Sequence, residues 1–414
     1  MSKDLAKAAL FNRCGMSRSN QLGAPQDGLR RTRSLRERAG VDEGKLERLQ
    51  TTLCATNSLP ITQQRNSNND RSRPVKKAEF AHHVRIMSSD SDFQFAVEFG
   101  DLRHSGRLHT ALAGEAKENA ERNRFRNILP FDHTRVHLTA QPDYINANFV
   151  PGPMGEKDFI ATQGPLPSTV DDFWAMVWQQ AVECILCLTR CIEREREKCH
   201  PYWPSTSTGP LHTPNFQVKL VSEERNGSLW TCRRLEIRSK TEEASRTLDQ
   251  LHFLAWPDFG VPEQPSHLLS FVREFRTRVP PKPSAPPVLV HCSAGVGRSG
   301  TLIALDRLLY SLADSECVDV FGLVHQLRQA RTAMVQTEAQ YAFLHLAVLE
   351  ALQPSAAVLE GPLGSLSLDS SQDMEEESQH QPKPPPPPTI RLHTESMDTA
   401  DSAFTFPSSP GLAS

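Results

Sequence analysis

The chain of 414 residues contains no run of about 18 consecutive apolar residues, so we expect no transmembrane segment. Its formal net charge is only −3, and the sequence provides no reason to expect a nucleic-acid partner. The nine cysteines are odd in number, and no secretory leader pattern is present. These absences disfavour a disulfide-bonded secreted protein and predict a cytoplasmic protein in a reducing compartment.

Composition divides the chain into three parts. Residues 1–76 hold 15 Lys and Arg against 7 Asp and Glu, whereas residues 354–414 hold 2 against 9 and carry 10 of the 31 prolines. All five tryptophans lie between these two segments. The sequence therefore predicts a basic, disordered segment 1–76, one folded domain 77–353, and an acidic, proline-rich disordered tail 354–414.

The most informative segment is 291–300, HCSAGVGRSG. The short apolar run 287–291 before it predicts a buried strand, and the residues from Thr301 onwards have helical spacing. Backbone N–H groups in such a strand-to-helix loop can converge on a phosphate-sized anion at the helix N-terminus. The small residues that would provide them are Ser293, Ala294, Gly295, Val296 and Gly297.

Cysteine and arginine in this loop supply the chemistry. The positive end of the helix favours the thiolate of Cys292, which is both a nucleophile and a leaving group for phosphorus. The planar fork of Arg298 can hold two phosphate oxygens at once. Ser299 is placed to donate a hydrogen bond to the sulfur. A buried structural cysteine beside a glycine-rich turn is the alternative, and the ten-residue pattern disfavours it.

This loop resembles the signature loop of the tyrosine-specific protein phosphatases, and the resemblance extends over about residues 77–353. Segments 80–102 and 302–306 look most like the single-domain receptor-type members. The resemblance implies an α/β fold, a twisted mixed sheet flanked by helices, with the loop between a central strand and a helix. Other matching segments follow in family order: 123–132 (NRFRNILPFD), 143–148 (DYINAN), 162–165 (TQGP), 172–178 (DFWAMVW), 198–204 (KCHPYWP), 256–262 (WPDFGVP) and 336–341 (QTEAQY).

The resemblance also implies the remaining roles in hydrolysis of protein phosphotyrosine, without a metal or cofactor. Asp258, on a lid formed by residues 256–262, would protonate the leaving phenolate and later accept a proton from water. Gln336 would place that water, with Gln340 on the same helical face. Glu193 would pair with Arg298, although the alternating charges of 193–198 also fit an exposed hairpin. His291 would support the loop.

A cysteine at the bottom of a deep pocket favours phosphotyrosine as the substrate, because only its long side chain would reach the cysteine. Phe125 stands where the family usually has a tyrosine that stacks on the substrate ring, and Asn127 matches the residue that ties down the substrate backbone. Phe259 replaces a histidine found after the lid aspartate in many members. Neither change removes a catalytic atom.

Other interpretations stay open. A catalytically weak phosphotyrosine-binding scaffold fits the two phenylalanine replacements, and a dual-specificity or lipid phosphatase would carry a similar loop. Cys184, Cys187 and Cys191 have zinc-like spacing, but apolar residues between them favour a buried strand. The proline run 383–388 predicts an extended helix that serves as a spacer or a weak docking site.

Overall fold

The computed structural model describes residues 71–139 and 142–353. The predictions for residues 1–70, for the tail 354–414 and for the proline run 383–388 lie outside the described residues. The fold already includes residues before position 77. Val75 and Lys76 form a short strand that pairs with residues 317 and 318, and the Arg73 backbone N–H donates to Asp319.

Thirteen strands occur in the described residues, and nine of them form one sheet. The strands are β1 Val75–Lys76, β2 Arg135–His137, β3 Tyr144–Val150, β4 Phe159–Thr162, β5 Cys184–Cys187, β6 Ile192–Glu193, β7 Arg196–Glu197, β8 Leu211–His212, β9 Phe216–Asn226, β10 Trp230–Ser239, β11 Ser245–Phe253, β12 Val288–His291 and β13 Cys317–Val318.

Eight α-helices accompany these strands within the described ranges. They are α1 Lys77–Met87, α2 Ser89–Asp101, α3 Leu112–Glu115, α4 Val170–Gln179, α5 Pro265–Arg278, α6 Gly297–Ser311, α7 Val320–Ala330 and α8 Glu338–Leu352. Four 3₁₀ turns lie at Leu102–His104, Lys117–Arg122, Asp132–Thr134 and Pro167–Thr169.

The nine-stranded sheet has the order β2-β3-β4-β12-β5-β11-β10-β9-β8. β12 runs parallel to β4 on one side and to β5 on the other, and β5 is parallel to β11. The outer pairs are antiparallel. The predicted mixed sheet, with the loop at the end of a central strand, is confirmed.

β12 is apolar throughout its first three residues because both of its faces are covered. Val288 and Val290 pack into the cluster that includes α6, while Leu289 between them packs into the cluster around Trp174 of α4. Helices α1, α2, α5, α6, α7 and α8 contribute to the first cluster, and α4 contributes to the second. A strand covered on both sides has a continuous apolar run, so the prediction of a buried strand at 287–291 is confirmed.

Two helix starts differ from expectation. α6 begins at Gly297 rather than Thr301, so the second half of the signature segment is the first helical turn. Gly300 can lie in that turn because it has no Cβ, which would collide with the backbone nitrogen of Val335. α8 begins at Glu338, so Gln336 precedes the helix and does not share a helical face with Gln340.

Among the described residues, no helix combines the length and apolar character needed to cross a membrane.

Candidate active site

Cys292 follows directly after β12, and its side chain is buried at the floor of the signature loop. The residue is 5% exposed, and Gly295 N–H donates to its Sγ at 3.2 Å. Gly295 has φ +74°, and a Cβ there would overlap the Thr162 carbonyl oxygen. Only glycine fits this close approach. The N-terminus of α6 begins two residues later, which places its positive end at the loop.

Arg331 supports the loop from the interior, and no sequence motif points to it. Its guanidinium donates from Nε to the Gly295 carbonyl at 3.0 Å and from Nη2 to the Ala294 carbonyl at 3.1 Å. The same group donates to Asn146 Oδ1 and Asn148 Oδ1, both at 2.8 Å. Because these bonds direct the two loop carbonyls inward, the N–H groups of the same peptide units, those of Gly295 and Val296, point the opposite way.

Burial lowers the pKa of Arg331 to about 10, so it stays charged at neutral pH. The side chain therefore places a positive charge beneath the loop as well as holding it. Asn146 and Asn148 lie on β3 within a segment that resembles the family, but the sequence does not reveal their partner.

His291 fixes the backbone next to the cysteine. Its Nδ1 lies 3.1 Å from the Cys292 carbonyl oxygen, which can only accept, so Nδ1 carries the proton. Nε2 then accepts from the Tyr202 hydroxyl at 2.8 Å, and that hydroxyl accepts from Gln250. Complete burial lowers the pKa of His291 to about 4, which keeps the ring neutral. The expected support of the loop by His291 thus has a geometric basis.

Arg298 is held by Glu193 in a two-pronged ion pair. Nη1 lies 2.6 Å from Oε1 and Nη2 lies 2.9 Å from Oε2. Nη1 also donates to the Leu188 carbonyl at 3.1 Å. With both terminal nitrogens held, the guanidinium plane is fixed in one orientation above the loop.

The sequence suggests either a hairpin at 193–198 or a pairing of Glu193 with Arg298, and the structure contains both. β6 and β7 form that hairpin, and the Glu193 carboxylate points inward at 4% exposure. It accepts from the Thr189 hydroxyl at 3.0 Å and the Arg190 N–H at 3.2 Å. Burial acts to raise the pKa of Glu193, but hydrogen bonds and charge from Arg298 outweigh it and leave the pKa below its usual value.

The segment 256–262, for which a lid is expected, lies against Arg298. Arg298 Nη2 is 3.1 Å from the Pro257 carbonyl and 3.5 Å from the Asp258 carbonyl. Trp256 is buried, and its indole N–H donates to the Gly260 carbonyl at 3.1 Å, which closes a tight turn. The arginine that faces the loop therefore also holds the lid that carries Asp258.

Both candidate glutamines reach the loop even though only one lies on α8. A Cβ on Gly297 would stand 3.1 Å from Gln340 Oε1 and 3.2 Å from Gln336 Oε1. Gln340 Oε1 also accepts from the Gln336 N–H at 2.9 Å and forms part of the N-terminal capping box of α8. Gln340 thus anchors the segment that presents Gln336.

Phe125 and Asn127 lie on a segment that Arg124 ties to the loop. Arg124 Nε donates to the Gly164 carbonyl at 3.0 Å, and Gly164 N–H donates to the Ser293 carbonyl at 2.8 Å. The Phe125 side chain is partly open to solvent at 37% exposure, and Asn127 is exposed. The segment is thereby fixed at the rim of the site.

Ser299 is completely buried, and its hydroxyl has no hydrogen-bond partner among the described residues. The expected hydrogen bond to Cys292 is not made in this structure. The Ser293 hydroxyl is likewise buried without a partner in the described part of the chain. Val296 contributes through its backbone, because its carbonyl accepts from the N–H of Val335 at 3.1 Å and joins the loop to the segment before Gln336.

The site therefore gathers a buried thiol at the end of a central parallel strand, a helix N-terminus and a fixed guanidinium. This combination has the chemistry suited to binding a phosphoryl group beside a nucleophile. The described residues contain no cluster of three or more His, Cys, Asp or Glu side chains arranged to hold a metal ion. The segments 184–187 and 191–199 keep their cysteines as free thiols.

Comparison with known proteins names the class. Residues 119–350 match the family model described as protein-tyrosine phosphatase, and the chain belongs to this family. Receptor-type tyrosine-protein phosphatase eta of Mus musculus is 42% identical over 290 residues, which cover 68% of this chain and 23% of the relative. Receptor-type tyrosine-protein phosphatase H of Homo sapiens is 44% identical over 287 residues, covering 68% and 26%.

A third relative carries a different name. Phosphatidylinositol phosphatase PTPRQ of Homo sapiens is 39% identical over 285 residues, covering 68% of this chain and 12% of the relative. The matched part thus makes up about a quarter or less of each of these three relatives. The family match, residues 119–350, contains the loop with Cys292 and Arg298.

Proposed function

We propose that the domain hydrolyses phosphotyrosine in proteins through a cysteinyl-phosphate intermediate. The single observation that carries this proposal is the Arg298 guanidinium, held by Glu193 on both nitrogens above a buried Cys292 thiol. With the Nη1 and Nη2 edge of the planar group held by Glu193, its Nε edge can bind phosphoryl oxygens. The loop N–H groups and the start of α6 supply the other contacts to the anion.

The reaction proceeds in two displacements. Cys292 Sγ attacks phosphorus, the S–P bond forms, and the P–O bond to the tyrosyl ring breaks while Asp258 gives its proton to the leaving oxygen. Water positioned by Gln336 then attacks phosphorus, Asp258 accepts a proton from it, and the S–P bond breaks to release phosphate. Arg298 holds the phosphoryl oxygens through both steps.

The ring of the substrate would lie against Phe125 at the rim, with Asn127 holding the substrate backbone. Loop residues 293–297 would contact the phosphoryl group, and Gln340 would hold Gln336 in place. The burial of Cys292 supports a deep pocket, which a phosphoserine side chain is too short to reach.

The remaining proposals concern the whole chain. We propose the divisions 1–76, 77–353 and 354–414 for the basic segment, the catalytic domain and the acidic tail, with the described strand Val75–Lys76 adding to the domain. A reducing compartment such as the cytoplasm is supported by the free thiols of Cys184, Cys187, Cys199, Cys232 and Cys292. Phosphotyrosine proteins are the proposed partners, with weak docking through 383–388.

Phosphate release from a phosphotyrosyl peptide, measured without added metal, tests the proposal. We expect turnover by the wild type, none by Cys292→Ser, and a loss of about 10²–10⁴-fold for Asp258→Ala because proton donation is removed. Binding of the peptide without turnover by the wild type would instead identify a phosphotyrosine-binding scaffold.

A phosphothreonine peptide and a phosphoinositide serve as alternative substrates in the same assay. The phosphoinositide is included because one relative is named a phosphatidylinositol phosphatase. A preference for phosphotyrosine by at least tenfold in kcat/KM is expected from the depth of Cys292, roughly 1.4 kcal/mol in transition-state binding. Equal rates on phosphothreonine would show dual specificity, and a preference for the lipid would replace the proposed substrate class.

A further inference from the structure

Arg194 occupies the tip of the β6–β7 hairpin, directly after Glu193. Arg194 and Glu195 have φ values of 45° and 61°, so they form a two-residue left-handed turn. This turn type matches the twist of a hairpin, although residues other than glycine or asparagine adopt it at a cost in free energy. The turn therefore sets the direction in which Arg194 leaves the hairpin.

The Arg194 side chain extends over the lid. Its guanidinium carbon lies 3.7 Å from the centre of the Phe259 ring, and its Nε lies 3.7 Å from Asp258 Oδ2. Phe259 stands where many family members carry histidine, and 61% of it is exposed. An exposed aromatic ring on the lid thus serves as a platform for a cation from the hairpin.

We propose that Arg194 is a positioning residue that latches the lid through the Phe259 ring and stabilises the Asp258 carboxylate formed when its proton has been given to the leaving group. This inference rests on the proposed phosphatase function. The Arg194–Phe259 contact forms this latch.

Two arginines then contact the lid, one through its backbone and one through its side chains. Arg298 bonds the lid backbone at Pro257 and Asp258, whereas Arg194 contacts the side chains of Asp258 and Phe259. Negative charge develops on Asp258 as its proton moves to the phenolate oxygen. A cation already oriented at 3.7 Å stabilises that charge without reorganising. The same cation stays over the aromatic face, which attracts it electrostatically.

Steady-state kinetics on a phosphotyrosyl peptide provide the first test. We expect Arg194→Gln and Phe259→Leu each to lower kcat by about 3–10-fold with little change in KM, because lid closure follows binding. Arg194→Lys should restore part of the loss, and Phe259→Tyr, which keeps the aromatic face, should match the wild type. Arg196→Gln, an exposed arginine of the same hairpin, is the matched control and should leave kcat unchanged.

The leaving group separates positioning from a general structural effect. A phosphate ester of an acidic phenol, such as p-nitrophenyl phosphate, depends less on protonation than phosphotyrosine does. Loss of the latch should therefore slow phosphotyrosine hydrolysis more than p-nitrophenyl phosphate hydrolysis. Equal losses on both substrates would overturn the proposal, since they would indicate general damage to the fold.

A double variant and a measurement without catalysis complete the test. If the latch operates as a pair, Arg194→Gln with Phe259→Leu loses no more kcat than Arg194→Gln alone; multiplicative losses would contradict it. The measurement without catalysis is hydrogen exchange of the lid amides, followed by mass spectrometry. Exchange should be faster than in the wild type in both single variants and unchanged in Arg196→Gln. An unchanged rate of lid amide exchange in both variants would overturn the latch. If the wild type were inactive but the variants still exchanged faster, only the proposed phosphatase activity would be overturned.

Discussion

Arg331 is a fully buried cation whose bonds reach two loop carbonyls and two asparagines of β3. Lysine could replace its charge but not its planar fork, so several of these acceptors would lose their donor. We expect Arg331→Lys to lower the free energy of unfolding by about 2–3 kcal/mol and to lower kcat/KM as well. Urea unfolding measures the first effect and peptide hydrolysis the second.

Arg238→Lys provides the control for this change, because Arg238 is exposed on β10. An exposed substitution of this kind alters stability by less than about 0.5 kcal/mol. If Arg331→Lys behaved like Arg238→Lys in both assays, the support of the loop by Arg331 would be wrong.

The proposed contact of Phe125 with the substrate ring uses the face of the phenyl group alone. Stacking of this kind contributes about 0.5–1.5 kcal/mol, so we expect Phe125→Ala to raise KM for a phosphotyrosyl peptide by roughly 2–12-fold. Inhibition by vanadate, which has no ring, should be unchanged. A matching loss of vanadate affinity would show that the substitution disturbs the loop instead of the ring contact.

Single residues differ in how far the sequence reveals them. Cys292, Arg298 and Gly295 sit in one contiguous motif, and the structure places all three at the loop. Arg331 cannot be found in this way, because its acceptors lie on β3 and on the loop, more than 30 residues away in both cases. Ser299 illustrates the converse, since its position in the motif suggests a bond to sulfur that is not made here.

At the scale of elements, the β6–β7 hairpin holds Arg298 through Glu193. Glu193→Gln keeps the size of the side chain and one hydrogen-bond acceptor, but it removes the negative charge that pairs with Arg298. We expect kcat/KM to fall about 10–100-fold, because a charged hydrogen bond contributes about 1.5–3 kcal/mol. The inhibition constant of vanadate should rise by a similar factor, since Arg298 grips the bound anion too. Unchanged vanadate inhibition would contradict this account of Glu193.

The boundaries of elements are harder to predict than their existence. The buried strand and the following helix are both present, but α6 starts four residues early, because Gly297 and Gly300 permit close approach of neighbouring segments. The spacing of Gln336 and Gln340 predicts one helix for both, yet Gln336 lies before α8 because Thr337 caps that helix. The capping box, with threonine at 337 and glutamine at 340, is visible in the sequence as a helix start signal.

At the scale of the whole molecule, stability should fall in mild acid. Burial lowers the pKa of His291 and His252 to about 4 and that of His345 to about 3, against an ordinary value of 6.5. The unfolded chain therefore binds more protons than the folded chain between about pH 6.5 and pH 4. This contribution is complete above pH 6.5 and is lost as the pH falls, by about 1.4 kcal/mol per histidine for each pH unit in that range.

Urea midpoints measured from pH 7 to pH 5 should accordingly decrease. His345→Phe keeps a ring in contact with Phe80 and removes one titrating group, so its stability should depend less steeply on pH than that of the wild type. An equally steep dependence would mean that His345 does not contribute in this range.

The general architecture follows from the sequence because many ordered segments resemble one family, and the mixed sheet confirms that expectation. The contacts that join those segments are not predictable in the same way. The Tyr202, Gln250 and His291 network brings together β11, β12 and a loop, and no local pattern encodes such a meeting. Long-range hydrogen bonds of this kind are properties of the assembled fold.

Two adjacent residues of the β6–β7 hairpin make different contacts. Glu193 turns inward to Arg298, and Arg194 turns outward to the lid. A change at position 194 would therefore adjust catalytic speed while affinity for the phosphoryl group is kept by position 193. Substitutions at position 194 alone should therefore yield variants of the domain with a lower or higher kcat and an unchanged affinity for the phosphoryl group.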